Sequence, residues 1–516
     1  MDLGVPVAVP RALPARVEGY GGVRPFTGAF ANLGAVEKAP VRLSSAVPGR
    51  SKLVPTIRAV IEACGLRDGG VVSFHHHLRN GDRVLELVLA EIARAGLRDI
   101  TIAPSSLFAV HAPLVEYMKR GVVTGIHTAY MAGPVADAVS RGALARPATM
   151  CTHGGRARAI QSGDLRVDIA FIGAPTADAY GNINGVDGHS ACGSLGYAAV
   201  DAECARHVVA LTDNLVRYPA CPIDITQDQV DVVVAVDSIG DPQGILSGTT
   251  RPTSDPVGLQ IARTAADVIA ASGLLVDDFS FQTGAGGISL AVAAALAQTM
   301  RERNVHGSFA SGGITGAIVE MFHAGLFRAL FDVQCFDLAA VDSYRRDAAH
   351  LGMSASMYAN PHNRGAVVNM LDAMILGAAE IDVDFNVNVT TGTDGVIMGG
   401  SGGHADTAAG AKLAIVTTRL NAGGYAKVVD RVTTVTTPGE TVDVLVTEAG
   451  VAVNPRRGEL RDRLVGAGLR VVPIDQLKEL AARGASHVHP AARGERVVAV
   501  VEYRDGTVTD VVRAVS

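Results

Sequence analysis

The chain resembles itself, and this internal repeat constrains the fold more than any other feature of the sequence. Ser73-Phe74 recurs as Ser280-Phe281, 207 residues later. Two further matches keep that offset: residues 102–105 with 309–312, and 125–127 with 332–334. A third match, residues 167–182 with 381–395, has an offset of 214. In it Asp168, Phe171 and Gly181 are aligned with Asp382, Phe385 and Gly395. An ordered series of this kind predicts two similar structural units.

Each unit alternates strand-like and helix-like segments, which indicates an α/β fold. Residues 85–95 have the apolar spacing of an amphipathic helix, and residues 232–236 form a Val-rich run typical of a buried parallel strand. We therefore predict an irregular N-terminal arm over residues 1–50, where six of the 22 prolines lie, followed by similar domains at 51–272 and 273–516. Functional residues should lie in loops after the strands and in the cleft between the domains.

Composition excludes several classes of function. Aromatic residues make up 4% of the chain and the net charge is −6 with no basic tract, so nucleic acid and anionic membranes are poor partners. The six cysteines form no C-x-x-C pair, which speaks against a zinc site or a redox pair. The longest apolar run, residues 288–297, is about half a membrane span. These features predict a soluble cytoplasmic protein without a bound metal.

A glycine-rich loop follows the second Ser-Phe pair. Residues 283–287 read TGAGG and precede a helix-like stretch. Glycines at a helix start let free backbone N–H groups face a phosphate or the oxyanion of an acyl-transfer intermediate. No lysine follows, so the loop is not of the Walker type. The alternative is a tight turn with close helix packing.

A second glycine cluster lies at residues 399–412. Gly400, Gly402 and Ala405 satisfy the dinucleotide pattern G-x-G-x-x-A. That pattern also requires an acidic residue about 20 positions later. The best candidate, Asp430, lies beyond that distance. A glycine-lined surface for another extended ligand is the better interpretation. A purely structural turn is the alternative.

Histidine and arginine side chains follow strand-like segments of the first unit. His75, His76 and His77 are consecutive, so at most the first and third share one face of a strand, and a metal would need a third ligand. An active-site donor or structural hydrogen bonding fits them. Arg156 and Arg158 can clamp carboxylates in bidentate fashion, or lie solvated at a helix start.

Longer segments of the chain resemble the alpha subunits of bacterial citrate lyases. The resemblance runs in order from about residue 50 to the C-terminus, in segments such as VVSFHHHLRNGD, THGGRARAI, FSFQTGAGGISLAV, LGAAEIDVDFNVNVTTGTDG and MGGSGGHADTAAGAKLAI. It is looser before residue 50, around residues 418–427 and over residues 457–493. No functional residue is carried onto those looser segments.

The resemblance implies two domains of the CoA-transferase (sugar-isomerase-like) fold, with open parallel-type sheets flanked by helices. It also implies a reaction. An acyl carrier protein, the gamma chain, presents an acetyl thioester on a phosphoribosyl-dephospho-CoA arm, and citrate replaces acetate on it. A beta chain then cleaves the citryl thioester to oxaloacetate and acetyl thioester. The chain would thus act in a hetero-oligomer and bind no cofactor of its own.

The implied reaction assigns roles to the residues singled out above. Both transfer steps pass through an oxyanion, so backbone donors are expected from the TGAGG loop. Citrate carries several negative charges, so arginine and histidine partners are expected. The predicted residues are Gly284, Gly286 and Gly287 for catalysis, with Gly286 and Gly287 as the main donors; His75, His77, Arg79, Arg156 and Arg158 for citrate; and Gly400, Gly402, Gly403 and His404 for the thioester arm.

One departure from related CoA-transferases bears on the mechanism. Those with a covalent glutamyl-CoA intermediate carry a Glu in an S-E-N-G turn, whereas the corresponding turn, residues 392–395, has Thr393 at that position. A Thr hydroxyl cannot form the acyl anhydride which that mechanism needs. We predict direct transfer in a ternary complex through a mixed anhydride. Asp394, next to Thr393 in the predicted catalytic turn, is the alternative carboxylate for a covalent route.

Three other functions stay open at this point. A CoA-transferase or thioester hydrolase that uses free acetyl-CoA and another small acid would keep the fold and the oxyanion loop. A sugar-phosphate isomerase of the same fold class would need a base over a ring-opened sugar, and the citrate-lyase-like segments argue against it. A non-catalytic scaffold subunit would leave the activity to its partners.

Overall fold

Helices and strands alternate along nearly the whole chain. The computed structural model describes residues 11–32, 34–40, 47–246, 250–486 and 493–515. The helices in these ranges are α1 (Ile57–Ala63), α2 (Val84–Arg94), α3 (Leu114–Lys119), α4 (Pro134–Ser140), α5 (His153–Ser162), α6 (Gly196–Cys204), α7 (Pro256–Ala271), α8 (Gly287–Arg303), α9 (Gly316–His323), α10 (Leu338–Arg346), α11 (Ala355–Ala359), α12 (His404–Gly410), α13 (Gly458–Gly466) and α14 (Ile474–Gly484). None of these helices is long and apolar enough to cross a membrane.

The strands form three groups along the chain. Those of the arm and the first unit are β1 (Arg16–Val17), β2 (Gly21–Gly22), β3 (Val71–Phe74), β4 (Ile100–Pro104), β5 (Val123–Thr128), β6 (Ala148–Met150), β7 (Ile169–Ala174), β8 (Thr176–Asp178), β9 (Ile183–Asn184), β10 (His207–Thr212), β11 (Leu215–Val216) and β12 (Val232–Ala235). Those of the second unit are β13 (Ser280–Thr283), β14 (Gly307–Ile314), β15 (Phe327–Cys335), β16 (His350–Gly352), β17 (Ala373–Gly377), β18 (Glu380–Asp382), β19 (Val387–Asn388), β20 (Leu413–Thr417), β21 (Asn421–Ala422), β22 (Tyr425–Ala426), β23 (Val428–Val429), β24 (Val444–Thr447) and β25 (Gly450–Val453). A C-terminal hairpin adds β26 (Arg493–Glu502) and β27 (Val508–Val515).

Two large sheets share one strand order, and the predicted α/β fold class is confirmed. The first sheet runs β12-β10-β7-β3-β4-β5-β6-β26-β27, and the second runs β25-β24-β20-β17-β13-β14-β15-β16. The strands that carry the repeated Ser-Phe pair, β3 and β13, are therefore equivalent central strands. Neighbours pair in parallel except in the hairpins β24–β25 and β26–β27. Helices cover the faces of such sheets, which is why strands such as β7 are almost entirely apolar and buried.

The last match of the predicted repeat is wrong in register. The turn at Asp178, where one carboxylate oxygen accepts the backbone N–H of Tyr180 and Gly181, recurs at Asp382. Asn182 and its counterpart four residues after Asp382 each donate a side-chain N–H to the preceding aspartate. Asp178 therefore corresponds to Asp382, an offset of 204 rather than 214. The second unit is slightly shorter at this point.

The C-terminal hairpin lies in the first sheet, although the sequence predicts a second domain that runs to residue 516. β26 pairs in parallel with β6 through residues 499–501 and 148–150. This pairing covers the edge of β6. An open edge strand would expose unpaired backbone N–H and C=O groups. The predicted boundary at residue 272 stays a prediction.

The N-terminal arm is mostly irregular and packs on the same hairpin. Pro25 bridges to Val508, and the rings of Phe26 and Tyr503 meet edge-on at 4.9 Å. The arm therefore belongs structurally to the outer side of the first sheet.

Candidate functional site

The candidate site lies where the carboxyl ends of β3 and β15 meet. Nε2 of Gln334, near the end of β15, donates to the backbone carbonyl of His76 at 2.8 Å. His76 stands two residues beyond the last residue of β3. Loops at the carboxyl ends of parallel strands are the usual position of ligand sites in open α/β sheets. The loops of the two units therefore converge here.

Four aromatic side chains form a buried stack at this point. The ring of His76 lies 4.6 Å from that of Tyr197 and 5.7 Å from that of His153, while His153 and Tyr197 are 4.4 Å apart. Phe108 covers His76 at 5.7 Å. None of the four is more than 8% exposed. The stack fixes the direction of the imidazole nitrogens and nearly excludes water.

Burial keeps the histidines of the site neutral. It lowers the pKa of His77 and of His153 to about 3, and the pKa of His76 well below its ordinary value. The positive charge of nearby arginines adds to the effect at His76 and His153. A neutral imidazole offers one donor and one acceptor nitrogen. Near neutral pH the site therefore presents uncharged hydrogen-bonding groups.

Ser105 determines which nitrogen of His76 carries the proton. The Ser105 hydroxyl oxygen accepts the backbone N–H of His76 at 3.1 Å and lies 2.6 Å from its Nδ1. The hydroxyl proton is therefore available for Nδ1, so we assign the proton of the ring to Nε2. His76 is thus held as a neutral Nε2–H donor.

Three buried polar atoms of the site make no hydrogen bond within the described ranges. They are Nε2 of His77, Nδ1 of His153 and Oε1 of Gln334. Buried polar groups are nearly always paired, because an unpaired one costs about 1–3 kcal/mol. A polar ligand in the stack would supply the missing partners. No group of three potential metal ligands occurs among the described side chains.

Arg79 places a cation beside the stack. Its backbone has a φ of 51°, and its guanidinium lies 4.5 Å from the centre of the Phe108 ring and 5.5 Å from that of Phe336. The side chain is buried, and burial lowers its pKa to about 10. A cation beside the stack can attract a bound anion. The citrate contact of Arg79 stays a prediction.

The TGAGG loop supplies two available backbone donors. Gly286 has a φ of 137° and precedes α8, a helix of 17 residues. Within the part of the chain that the structure describes, the N–H groups of Gly286 and Gly287 have no hydrogen-bond partner. The N–H of Gly284 is instead bonded to the carbonyl of Ile375 at 2.8 Å. Gly284 is therefore not placed to serve as an oxyanion donor.

The second glycine cluster packs directly against the stack. A Cβ on Gly402 would lie 3.4 Å from Nε2 of His153, and one on Gly403 would collide with the hydroxyl of Tyr358. That hydroxyl accepts a hydrogen bond from Nε2 of Gln282, at the end of β13, at 2.8 Å. The second glycine cluster and the histidines thus border one buried region, and close backbone approach explains Gly402 and Gly403.

Two other residues predicted for the thioester arm have structural partners. Nε2 of His404 donates to the carbonyl of Gly377 at 2.8 Å, and its Nδ1 lies 2.7 Å from the hydroxyl of Thr437. Burial lowers the pKa of His404 to about 4. Gly400 packs against the backbone of residues 129 and 130, where a Cβ would collide. Both ring nitrogens of His404 are therefore occupied, and Gly400 is required by the close approach of the backbone.

Asp201 neutralises Arg156, so this arginine is not placed to clamp a substrate. The guanidinium binds Asp201 in bidentate fashion at 2.7 and 2.8 Å and donates to the carbonyl of Ala103. His75 Nε2 lies 3.3 Å from the same carboxylate. Burial opposes ionisation of Asp201, but the charge of Arg156 outweighs it and lowers the pKa of Asp201. Arg156 is therefore engaged by Asp201, and His75 lies beside the same carboxylate.

Arg158 points to another part of the first unit. It pairs with Asp164 at 2.6 Å, and its guanidinium lies beside Gly506 in the turn of the C-terminal hairpin. It shares helix α5 with His153, but it makes no contact with the stack in the described residues. The predicted bidentate clamp by Arg156 and Arg158 is therefore not formed.

Thr393 and Asp394 lie at the tip of a turn that is next to the carboxylate of Glu380. The Thr393 hydroxyl donates to Glu380 at 2.6 Å, and Asp394 is exposed. Glu380 is buried and also accepts the Asn388 side chain and the Thr433 backbone N–H. In the described residues, neither member of the turn contacts the histidine stack.

Sequence reasoning missed several residues of the site, which are His76, His153, Tyr197, Gln334 and Tyr358. His76 was set apart because side chains alternate between the two faces of a strand, which would separate it from His75 and His77. However, β3 ends at Phe74, so this rule does not apply to the three histidines. Gln334 stands in the repeat opposite His127 and carries no motif of its own. His153 was present in the THGGRARAI segment, directly before the paired glycines.

His153 should give the unfolding free energy a measurable pH dependence. An unfolded histidine binds a proton below about pH 6.5, whereas folded His153, with a pKa of about 3, does not. The unfolded state therefore holds one more proton, and stability decreases as the pH falls through this range. In denaturant titrations, His153→Gln should reduce the slope of unfolding free energy between about pH 4 and 6 by about 1.4 kcal/mol per pH unit.

Asp406 provides a control of opposite sign. Burial raises its pKa to about 6, so the folded state holds the extra proton between about pH 4 and 6. Asp406→Asn should therefore increase the slope. A His153→Gln slope equal to that of the parent chain would contradict a neutral buried histidine.

Comparisons with known proteins point to one family. The family model described as "Citrate lyase, alpha subunit (CitF)" matches residues 50–515. The chain is 48% identical to the citrate lyase alpha chain of Escherichia coli (strain K12) over 94% of this chain and 95% of that protein. A solved structure of a citrate lyase alpha subunit in complex with citrate, from Streptococcus mutans, has 44% identity and a TM-score of 0.95 and covers 99% of both chains. A 4-hydroxybutyrate CoA-transferase from Porphyromonas gingivalis, 20% identical over 84% of this chain and 97% of that one with a TM-score of 0.55, shares the fold.

Proposed function

The chain belongs to the citrate lyase alpha subunit family, and from this premise we propose that it exchanges acetate for citrate on the thioester of an acyl carrier protein. It is accordingly an enzyme subunit of the citrate CoA-transferase type. The exchange would be the first step in the cleavage of citrate to oxaloacetate and acetate.

The proposed reaction consists of two acyl transfers. A citrate carboxylate oxygen attacks the acetyl carbonyl carbon. The C–S bond then breaks, which releases the thiolate and gives a mixed acetyl–citryl anhydride. The thiolate then attacks the citryl carbonyl, and acetate leaves. Each step passes through an oxyanion that backbone N–H groups can stabilise. Charge and atoms balance without a net gain or loss of a proton.

The observation that carries this proposal is the buried site between the two units. It combines a cation at Arg79 with neutral histidines that have unpaired nitrogens, and the TGAGG loop before α8 offers the N–H groups of Gly286 and Gly287. Groups of these kinds can bind a polyanionic acid and stabilise an oxyanion. The citrate complex of the Streptococcus mutans relative supports citrate as the acid.

We further propose that transfer is direct and forms no acyl-enzyme. The Thr393 hydroxyl is already bonded to Glu380, and Asp394 is an exposed residue of the same turn. Neither contacts the stack in the described residues. The support for direct transfer is thus that neither side chain of this turn reaches the stack and that Thr393 is already bonded.

The carrier and the lyase would be separate chains. The gamma chain would present the acyl group on its phosphoribosyl-dephospho-CoA arm, which enters here as a substrate, and the beta chain would cleave the citryl thioester. Gly402 and Gly403 are the residues of the second glycine cluster that border the stack. They are our candidates for contact with the arm.

The purified chain should release labelled acetate from an acetyl-carrier thioester only when citrate is added. Free acetyl-CoA run in parallel tests the substrate, and a higher kcat/KM with it would favour the broader CoA-transferase function. Acetate release that requires the beta chain would favour a scaffold role. Borohydride or hydroxylamine trapping followed by peptide mapping tests the mechanism, and a label on Asp394 would overturn direct transfer.

A further inference from the structure

The side chain of Gln334 has a fixed orientation. Its Nε2 donates to the carbonyl of His76 at 2.8 Å and lies 3.5 Å from the carbonyl of His77. Carbonyl oxygens only accept hydrogen bonds, so the amide nitrogen must face them and Oε1 must point the other way. The residue is fully buried, which leaves little room for another rotamer. The position of Oε1 is therefore determined.

Oε1 of Gln334 is an acceptor that needs a donor. It has no hydrogen-bond partner in the described residues, although the side chain is 0% exposed. Through Nε2 the side chain contacts the backbone of His76 and His77, whose rings pack on Tyr197, so Gln334 borders the region that holds the unpaired nitrogens of His77 and His153. An ionised carboxylate only accepts hydrogen bonds and is repelled by this oxygen. The missing group is therefore a donor on the ligand.

We infer that Oε1 of Gln334 accepts a hydrogen bond from the hydroxyl group of citrate and selects hydroxylated acids. This inference rests on the proposed function, because it takes citrate as the ligand. Citrate carries three carboxylates and one hydroxyl, and only the hydroxyl is a donor when the acid is fully ionised. Arg79 and the histidines serve the carboxylates, while Gln334 serves the remaining group. Acids without that hydroxyl leave the acceptor buried and unpaired.

Gln282 offers a matched comparison within the repeat. It stands at the end of β13, and both ends of its amide are occupied: Nε2 donates to Tyr358 at 2.8 Å, and Oε1 accepts from Ser311 at 3.0 Å. The two glutamines are alike in type and burial. They differ in that only Gln334 has an acceptor with no donor in the described residues.

The test compares citrate with tricarballylate, which has the same three carboxylates and lacks the hydroxyl. Binding of each acid to the full chain is measured by calorimetry without any thioester. The parent chain should bind citrate about 10- to 100-fold more tightly, the range for one unpaired buried acceptor. Gln334→Met should reduce that ratio to about threefold or less. The lost bond to His76 affects both acids equally, so the ratio isolates Oε1.

The control variant is Gln282→Met, which should lower stability but retain the parent ratio. Equal binding of the two acids by the parent chain would overturn the inference, and so would an unchanged ratio in Gln334→Met. A reduced ratio in both variants would also overturn it, since the effect would then be a general loss of packing. Because binding is measured without acyl transfer, a failure of the exchange assay leaves this result standing on its own.

Discussion

Gly286→Ala should reduce kcat for acyl exchange by about 100- to 1000-fold, the loss found when one oxyanion donor is removed. Gly286 has a φ of 137°, which an alanine rarely adopts. The added methyl group has room, since its nearest neighbour would be Ser289 Oγ at 3.7 Å. The strain must therefore be relieved by a change of the backbone torsion angles and not by movement of neighbouring side chains. Such a change would turn the N–H groups before α8 away from the developing oxyanion. The measurement is steady-state exchange at saturating citrate.

Gly325→Ala is the matched control for this prediction. Gly325 has a φ of 73° after α9, and a Cβ there would meet nothing within 4 Å. Its φ is also positive but lies in the left-handed region, which costs an alanine about 1 kcal/mol, so its unfolding free energy should fall by about that amount while kcat is unchanged. Equal kcat values for the two alanine variants would remove the TGAGG loop from the mechanism.

The repeat shows how much of this fold the sequence could predict. Matching Ser-Phe pairs at nearly constant spacing predict two similar α/β units, and the shared strand order of the two sheets agrees with this. The register error at the last match has a specific cause. Gly181, with a φ of 100°, corresponds to Phe385, which has a φ of 64°. A glycine pattern could not find this pair, because the second unit tolerates a phenylalanine in a conformation that usually selects glycine.

The C-terminal hairpin shows a different limit. The segment YRDG, residues 503–506, marks a turn between two apolar runs, and a hairpin is predictable from it. Which sheet edge receives the hairpin depends on β6, more than 340 residues earlier in the chain, whose edge would otherwise be open. Local patterns carry no information on such a distant pairing.

Residue type alone did not sort the candidate glycines and charges. A glycine-rich loop before a helix suggested residues 283–287 as anion donors, but Gly284 is bonded to Ile375, and only Gly286 and Gly287 have N–H groups without a partner in the described residues. The arginines could not be sorted, because the sequence does not reveal their partners. Arg156 and Arg158 have carboxylates at 2.7 and 2.6 Å, and the guanidinium of Arg79 lies beside the Phe108 ring of the stack. The position of an arginine relative to the stack cannot be read from residue type.

Arg79→Gln should weaken citrate binding by about 30-fold or more, the effect of truncating one partner of a buried charged contact. The guanidinium is 5% exposed beside the stack, and its pKa is lowered by burial. A citrate carboxylate bound at the stack would be attracted by this positive charge. Glutamine keeps hydrogen-bond donors but loses the charge. Calorimetric titration with citrate measures the affinity, and denaturant unfolding without citrate measures the stability.

Arg156→Gln should show the reverse pattern, because its charge is compensated by Asp201 rather than by substrate. Removing one member of a buried ion pair leaves the other uncompensated and costs about 3–5 kcal/mol of stability. The molecules that remain folded should keep most of their citrate affinity. If Arg79→Gln binds citrate as the parent chain does, Arg79 does not contact citrate. If Arg156→Gln loses citrate affinity without losing stability, Arg156 is not a structural arginine. The pair of variants thus separates the cation that meets citrate from the cation that supports the fold.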